Sequence, residues 1–148
     1  MLRCSTWRIA AMLALTGTAA AAETGDGRLV AVPLTVVNDG AEAIGCRAAI
    51  AHWFSAEVGT ASAGSAVEAT LWAEPESGTV FLINRAGDRM PVESLWCGAA
   101  DATWRTRSLI PLPRHAADGD AISLTCRGGA DDGPLACRQV RQAQGGGG

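Results

Sequence analysis

After residue 28 no stretch keeps its apolar residues at helical spacing, and that absence limits the chain to a sheet protein. Short alternating runs take the place of helices, separated by Gly, Asp, Asn and Pro. "RLVAVPLTVVN" (28–38) puts Val30, Val32, Leu34 and Val36 on one face. "SAVEATLWAE" (65–74) sets Val67, Ala69, Leu71 and Ala73 against Glu68, Thr70 and Glu74. Such alternation marks a strand buried on one side. "CRAAIAHWFS" (46–55) places Cys46, Ile50 and Phe54 together, with His52 on the same side. "TVFLIN" (79–84) is apolar on both faces, and "RAGDR" turns it back into "MPVESLWC" (90–97) as a hairpin. "TWRTRSLIPL" (103–112), "AISLTC" (121–126) and "ACRQVR" (136–141) complete about seven to eight strands. Pro33 and Pro111 fit only at strand edges or ends, because proline cannot donate to a ladder.

The segments "VPLTVVNDGAEAI" and "SAGSAVEATL" resemble bacterial domains built as an immunoglobulin-like or fibronectin-like sandwich, in which a strand and an Asn/Asp-Gly turn precede the first buried pairing. The resemblance covers about half of the domain and implies an all-β antiparallel β-sandwich. It carries no motif from which a functional residue could be transferred.

The first residues indicate destination. Arg3 and Arg8 precede an apolar run from Ile9 to Ala22 that ends in Ala20, Ala21 and Ala22, and acid begins at Glu23. A charged start, a short apolar middle and a small-residue exit make a secretory signal, residues 1–22. The expected destination is a bacterial periplasm or the cell exterior. Residues 23–140 then form one sandwich domain, and the Gly-rich 141–148 is expected to be a disordered tail. Without the signal, ten arginines stand against fifteen acids, a net charge of −5, and the chain has no lysine. A mildly acidic domain lacking a basic cluster is a poor match for a phosphate backbone, so nucleic-acid binding is not expected. Nor is a membrane span expected after signal cleavage.

Export decides the chemistry of the cysteines. Cys46, Cys97, Cys126 and Cys137 remain, an even number in an oxidising compartment, which favours two disulfides. Zinc sites bring sulfur ligands in close pairs, and thiol oxidoreductases carry Cys-x-x-Cys; neither spacing occurs. "LTCRGGADDGPLACRQV" reads as strand, loop, strand, which brings Cys126 opposite Cys137 and leaves Cys46 for Cys97. The competing arrangement is Cys46–Cys126 with Cys97–Cys137, which would join two sheets as in an immunoglobulin domain.

Candidate chemistry is sparse. His52 and His115 are the only histidines; with Met90 they are the candidate ligands for copper, though none has a partner nearby in sequence. No Gly-x-Ser-x-Gly elbow is present. Glu74 with Glu76 and Asp118 with Asp120 read as solvated turn residues rather than a hydrolytic pair. "DGD" (118–120) and "DD" (131–132) lack the ligand rhythm of a calcium loop. Trp53 and Trp72 point away from the main apolar faces and would form a flat binding patch if their strands were neighbours. "DRMPVESLWCG" (88–98) reads as a corner locked by a bridge and as the rim of a contact surface. The expectation is a non-catalytic binding or accessory module with no cofactor and a protein or glycan partner in the cell envelope. Periplasmic copper handling is the alternative, and a carbohydrate-active or other hydrolase domain the second.

Overall fold

The computed structural model of the protein describes residues 28–50, 54–117, 120–128 and 133–140. The expected signal (1–22) and tail (141–148) lie outside them. Among the described residues there are nine strands: β1 (Val30–Asn38), β2 (Ile44–Ile50), β3 (Phe54–Ala61), β4 (Ala66–Glu74), β5 (Thr79–Ile83), β6 (Arg89–Ala99), β7 (Ser108–Ile110), β8 (Ile122–Arg127) and β9 (Ala136–Gln139). Their order is β3-β2-β6-β5-β4-β1-β8-β9, with β7 also on β6. No helix among the described residues is long and apolar enough to cross a membrane.

One long strand makes two layers. Arg89–Pro91 of β6 pairs with β5, whereas Val92–Ala99 pairs with β2. Between these halves the β2 register steps from Ala49↔Ser94 to Ile50↔Val92, so Glu93 is the additional residue of a bulge. A bulge bends a strand and increases its twist, which is how one strand serves two sheets. The smaller layer is therefore β3-β2-β6-β7 and the larger is β6-β5-β4-β1-β8-β9.

The core fills the space between them. Val32 faces Leu71 and Val36 faces Val67 across β1 and β4, and all four are buried. Leu34 and Val36 also sit beside Ile122 and Leu124 of β8. Ile44, Cys46, Ala48, Leu95 and Cys97 close the other side. Full burial of one such leucine or valine is worth about 1.5–3 kcal/mol.

Three expectations need correction. The sheet is mixed, because β1 and β8 run parallel, from Leu34↔Ile122 to Asn38↔Cys126. Parallel strands need a long connection, and the whole stretch from β2 to β7 provides it. The single strand expected over 46–55 is two: β2 ends at Ile50 and β3 begins at Phe54 as its antiparallel neighbour. Phe54, expected to be buried with Cys46 and Ile50, is 76% exposed, since alternation does not carry through a chain reversal. Finally, the strand expected over 103–112 is mostly turn, and only Ser108–Ile110 pairs, with β6.

The prolines show how the pairing is delimited. Pro33 lies inside a strand with neighbours on both sides, yet the β8 register begins only at Leu34. Pro91 likewise pairs with Phe81 one residue before the β2 register begins at Val92. Each lacks its N–H at a point where one flank is open.

Candidate binding cleft on the smaller sheet

Both disulfides join residues directly opposite in antiparallel register. Cys46–Cys97 links β2 to β6 and Cys126–Cys137 links β8 to β9, with Cα separations of 4.0 and 4.1 Å. This is the local pairing favoured by the sequence. The first bridge is wholly buried under the smaller sheet, and its flanking glycines shape the surface above it.

Gly45 and Gly98 face each other across β2 and β6. A Cβ on Gly98 would lie 2.5 Å from the Thr103 carbonyl oxygen and 2.9 Å from its Cα; one on Gly45 would meet the Thr103 methyl at 3.0 Å. Glycine inside a strand commonly marks close approach of another backbone, and here it allows residues 100–107 to lie flat on the sheet. Hydrogen bonds hold that loop. Ala100 N donates to Ala43 O at 2.9 Å, and Thr106 N to Ala102 O at 3.0 Å. The buried Thr106 hydroxyl donates to Ala102 O and accepts from Ala99 N, at 2.9 and 2.8 Å. Gly98→Ala therefore displaces the loop and destabilises the fold by about 2 kcal/mol, the usual scale of overpacking. Urea unfolding measures the loss, and near-UV circular dichroism records the change in tryptophan surroundings.

The loop delivers Trp104. Its ring meets Trp96 edge-on, with centroids 5.5 Å apart at 80°. Arg107 stacks over Trp104 at 4.0 Å and donates to its carbonyl oxygen at 2.7 Å. Such ring and cation contacts each contribute about 0.5–1.5 kcal/mol. Trp104 stays 63% exposed, whereas Trp96 is only 4% exposed. Around them opens a cleft of about 650 Å³ lined by Arg47, Ala49, Phe54, Ser55, Trp96, Thr103 and Trp104. Trp96 lies opposite Arg47 on β2 and the exposed Leu109 on β7.

Two features set its chemistry. The Trp96 Nε1 is buried without a hydrogen-bond partner, a cost of about 1–3 kcal/mol for a donor withdrawn from water. Among the described residues the polar lining consists of Arg47, Ser55 and Thr103, with no carboxylate. Glu57 stands opposite Arg47 in the β3 register, outside the cleft.

The residues singled out in the sequence fall elsewhere. His52 and Trp53 lie outside the described residues, as do Asp118, Asp131 and Asp132. Trp72 is half-buried on the outer face of β4, opposite Phe81 and Ala31. β5 and β6 separate β4, which carries Trp72, from β2 and β3 in the strand order. Met90 stands opposite Leu82 on β5. His115 is exposed, with Nδ1 3.4 Å from Pro75 O. Among the described residues no three His, Cys, Asp or Glu side chains gather at one point. Glu74 accepts from the Ser77 hydroxyl, and Asp120 accepts from Ala117 N at 2.8 Å, as turn residues do. Trp104 and Arg107 are hidden in the sequence because their segment alternates as a strand does, although it folds as a turn. The available signal was glycine beside cysteine inside two strands, "GC" at 45–46 and "CG" at 97–98.

No family model, curated protein or solved structure matches the chain.

Proposed function

We propose that the chain is exported through residues 1–22 into a bacterial periplasm or the cell exterior, and acts there as a non-catalytic binding module for a protein or glycan of the cell envelope. Its binding face is the cleft of the smaller sheet. The observation that carries this reading is the pair of exposed rings, Phe54 and Trp104, flanking Arg47 in that cleft. Large aromatics left in water beside an arginine are the usual anchors of recognition surfaces. Two buried or half-buried bridges support the export reading, because such pairs persist where thiols oxidise. Within the sandwich class, the immunoglobulin-like or fibronectin-like arrangement is part of the same proposal, supported by the strand and Asn-Asp-Gly turn that open the domain.

The test is titration of the purified protein with solubilised envelope fractions, followed by tryptophan fluorescence and sedimentation. Trp104→Ala is expected to weaken binding at least about tenfold, as loss of a central aromatic does. Trp72→Ala, on the larger sheet, is expected to leave it unchanged. The opposite pattern rejects this face.

A further inference from the structure

We propose that the cleft takes an acidic polysaccharide, with a uronic-acid carboxylate on Arg47 and the sugar ring against the Trp104 and Phe54 side chains. This rests on the cleft being the binding face.

Three observations carry it. First, the polar side chains among the described lining residues are Arg47, Ser55 and Thr103, and the lining residue Trp96 holds a buried indole N–H without an acceptor. Hydroxyls also accept, but the guanidinium and indole only donate, so the best complement is a ligand rich in oxygen acceptors and negatively charged. Arg47 makes no ion pair among the described residues, and its guanidinium is available to a carboxylate. Arg105 and Arg107 are exposed on the loop beside the cleft, which also carries the exposed Asp101; with Glu57 opposite Arg47, three arginines stand near two carboxylates. On a domain whose net charge is −5 without residues 1–22, this local excess of arginine favours one face for a polyanion.

Second, the unpartnered Trp96 Nε1 is the one buried side-chain donor without an acceptor among the described residues. Trp104 meets Trp96 edge-on and carries Arg107 over its ring; in this proposal the Trp104 ring shifts when ligand enters and a ligand oxygen reaches that donor. Binding then supplies the hydrogen bond that the unliganded protein lacks.

Third, the shape suits a ring better than a peptide anchor. Peptide hot spots sit in enclosed, desolvated pockets. This cleft is open, and among the described residues its only aliphatic lining residue is Ala49. Exposed flat rings above hydroxyls and a guanidinium match the apolar face and polar rim of a pyranose.

The experiment titrates the full, oxidised chain by calorimetry with three probes: a short oligogalacturonate, its methyl ester, and an oligoglutamate peptide. Oligogalacturonate is expected to bind saturably and to weaken as salt rises. Esterification, or Arg47→Gln, is expected to weaken binding about tenfold or more, as loss of a charge-assisted hydrogen bond does. Trp96→Phe keeps most of the ring but removes the donor; it should weaken binding about fivefold, the effect of one neutral hydrogen bond. A cooperative urea unfolding transition verifies that each variant folds. Equal affinity for acid and ester, equal affinity for oligoglutamate, full affinity in Arg47→Gln, or no binding of oligogalacturonate each overturns the proposal. If oligogalacturonate fails while binding of envelope fractions still requires Trp104, the uronate assignment falls and the binding face stands. If Trp104→Ala changes neither, both fall.

Discussion

Replacing Cys46 and Cys97 together by alanine is expected to lower the free energy of unfolding by about 4 kcal/mol. The bridge spans 51 residues, a stretch that contains β3, β4 and β5. Closing a loop of that length removes more freedom from the unfolded chain than closing the 11-residue span of Cys126–Cys137, for which the same model gives about 3 kcal/mol. Position reinforces the ranking. Cys46 and Cys97 are wholly buried and pack in the main core, whereas β9 is exposed and pairs only with β8. Loss of the first bridge therefore loosens the β2–β6 pairing at the heart of the smaller sheet, while loss of the second frays one edge. Urea denaturation of the two double variants measures the difference. The Cys46/Cys97 variant should melt about 15 °C lower. A shift no larger than that of the Cys126/Cys137 variant would contradict this ranking.

Asn38→Ala is the second large effect, at about 3 kcal/mol. Asn38 ends β1 with its side chain wholly buried, a position polar groups occupy only when satisfied. Its Nδ2 donates to Glu42 O at 2.8 Å and to Ala61 O at 3.1 Å. Its Oδ1 accepts from Gly40 N at 3.0 Å, while its backbone N donates to Ser65 O at 2.8 Å. One amide thus fastens the turn after β1 to the end of β3, in the opposite layer. Alanine strands the buried Ala61 carbonyl and removes the part-buried bonds to Glu42 O and Gly40 N. Asn38→Asp should be at least as damaging, because a carboxylate turned towards two carbonyl oxygens replaces attraction by repulsion. Denaturant unfolding of both variants provides the check.

Local pattern made much of this fold legible. The alternation of Val30 to Val36 and of Val67 to Ala73 identifies two strands and their buried faces, which meet in register between β1 and β4. The "RAGDR" turn holds because Asn84 Oδ1 accepts from Ala86 N and Asp88 N at 2.9 Å, and Gly87 adopts a φ of 87° that side chains resist. Cys126 and Cys137 were legible because one loop sets their register. Non-local choices were not. Nothing in "AISLTC" says that it runs parallel to β1, and "DRMPVESLWCG" reads as a corner without saying that one strand there leaves one sheet for another. The cleft was hidden for the same reason. It depends on Gly45 meeting Gly98 across strands distant in sequence, and on a loop that period-two counting mistakes for a strand.

The most direct test follows the indole N–H signals of ¹⁵N-labelled tryptophans by NMR while envelope-derived ligand is added. The Trp96 and Trp104 resonances should move together, with Trp96 gaining protection from solvent exchange as its donor finds an acceptor, and Trp72 should stay in place. Movement of Trp72 with Trp96 and Trp104 fixed would place recognition on the larger sheet and contradict the assignment of the cleft.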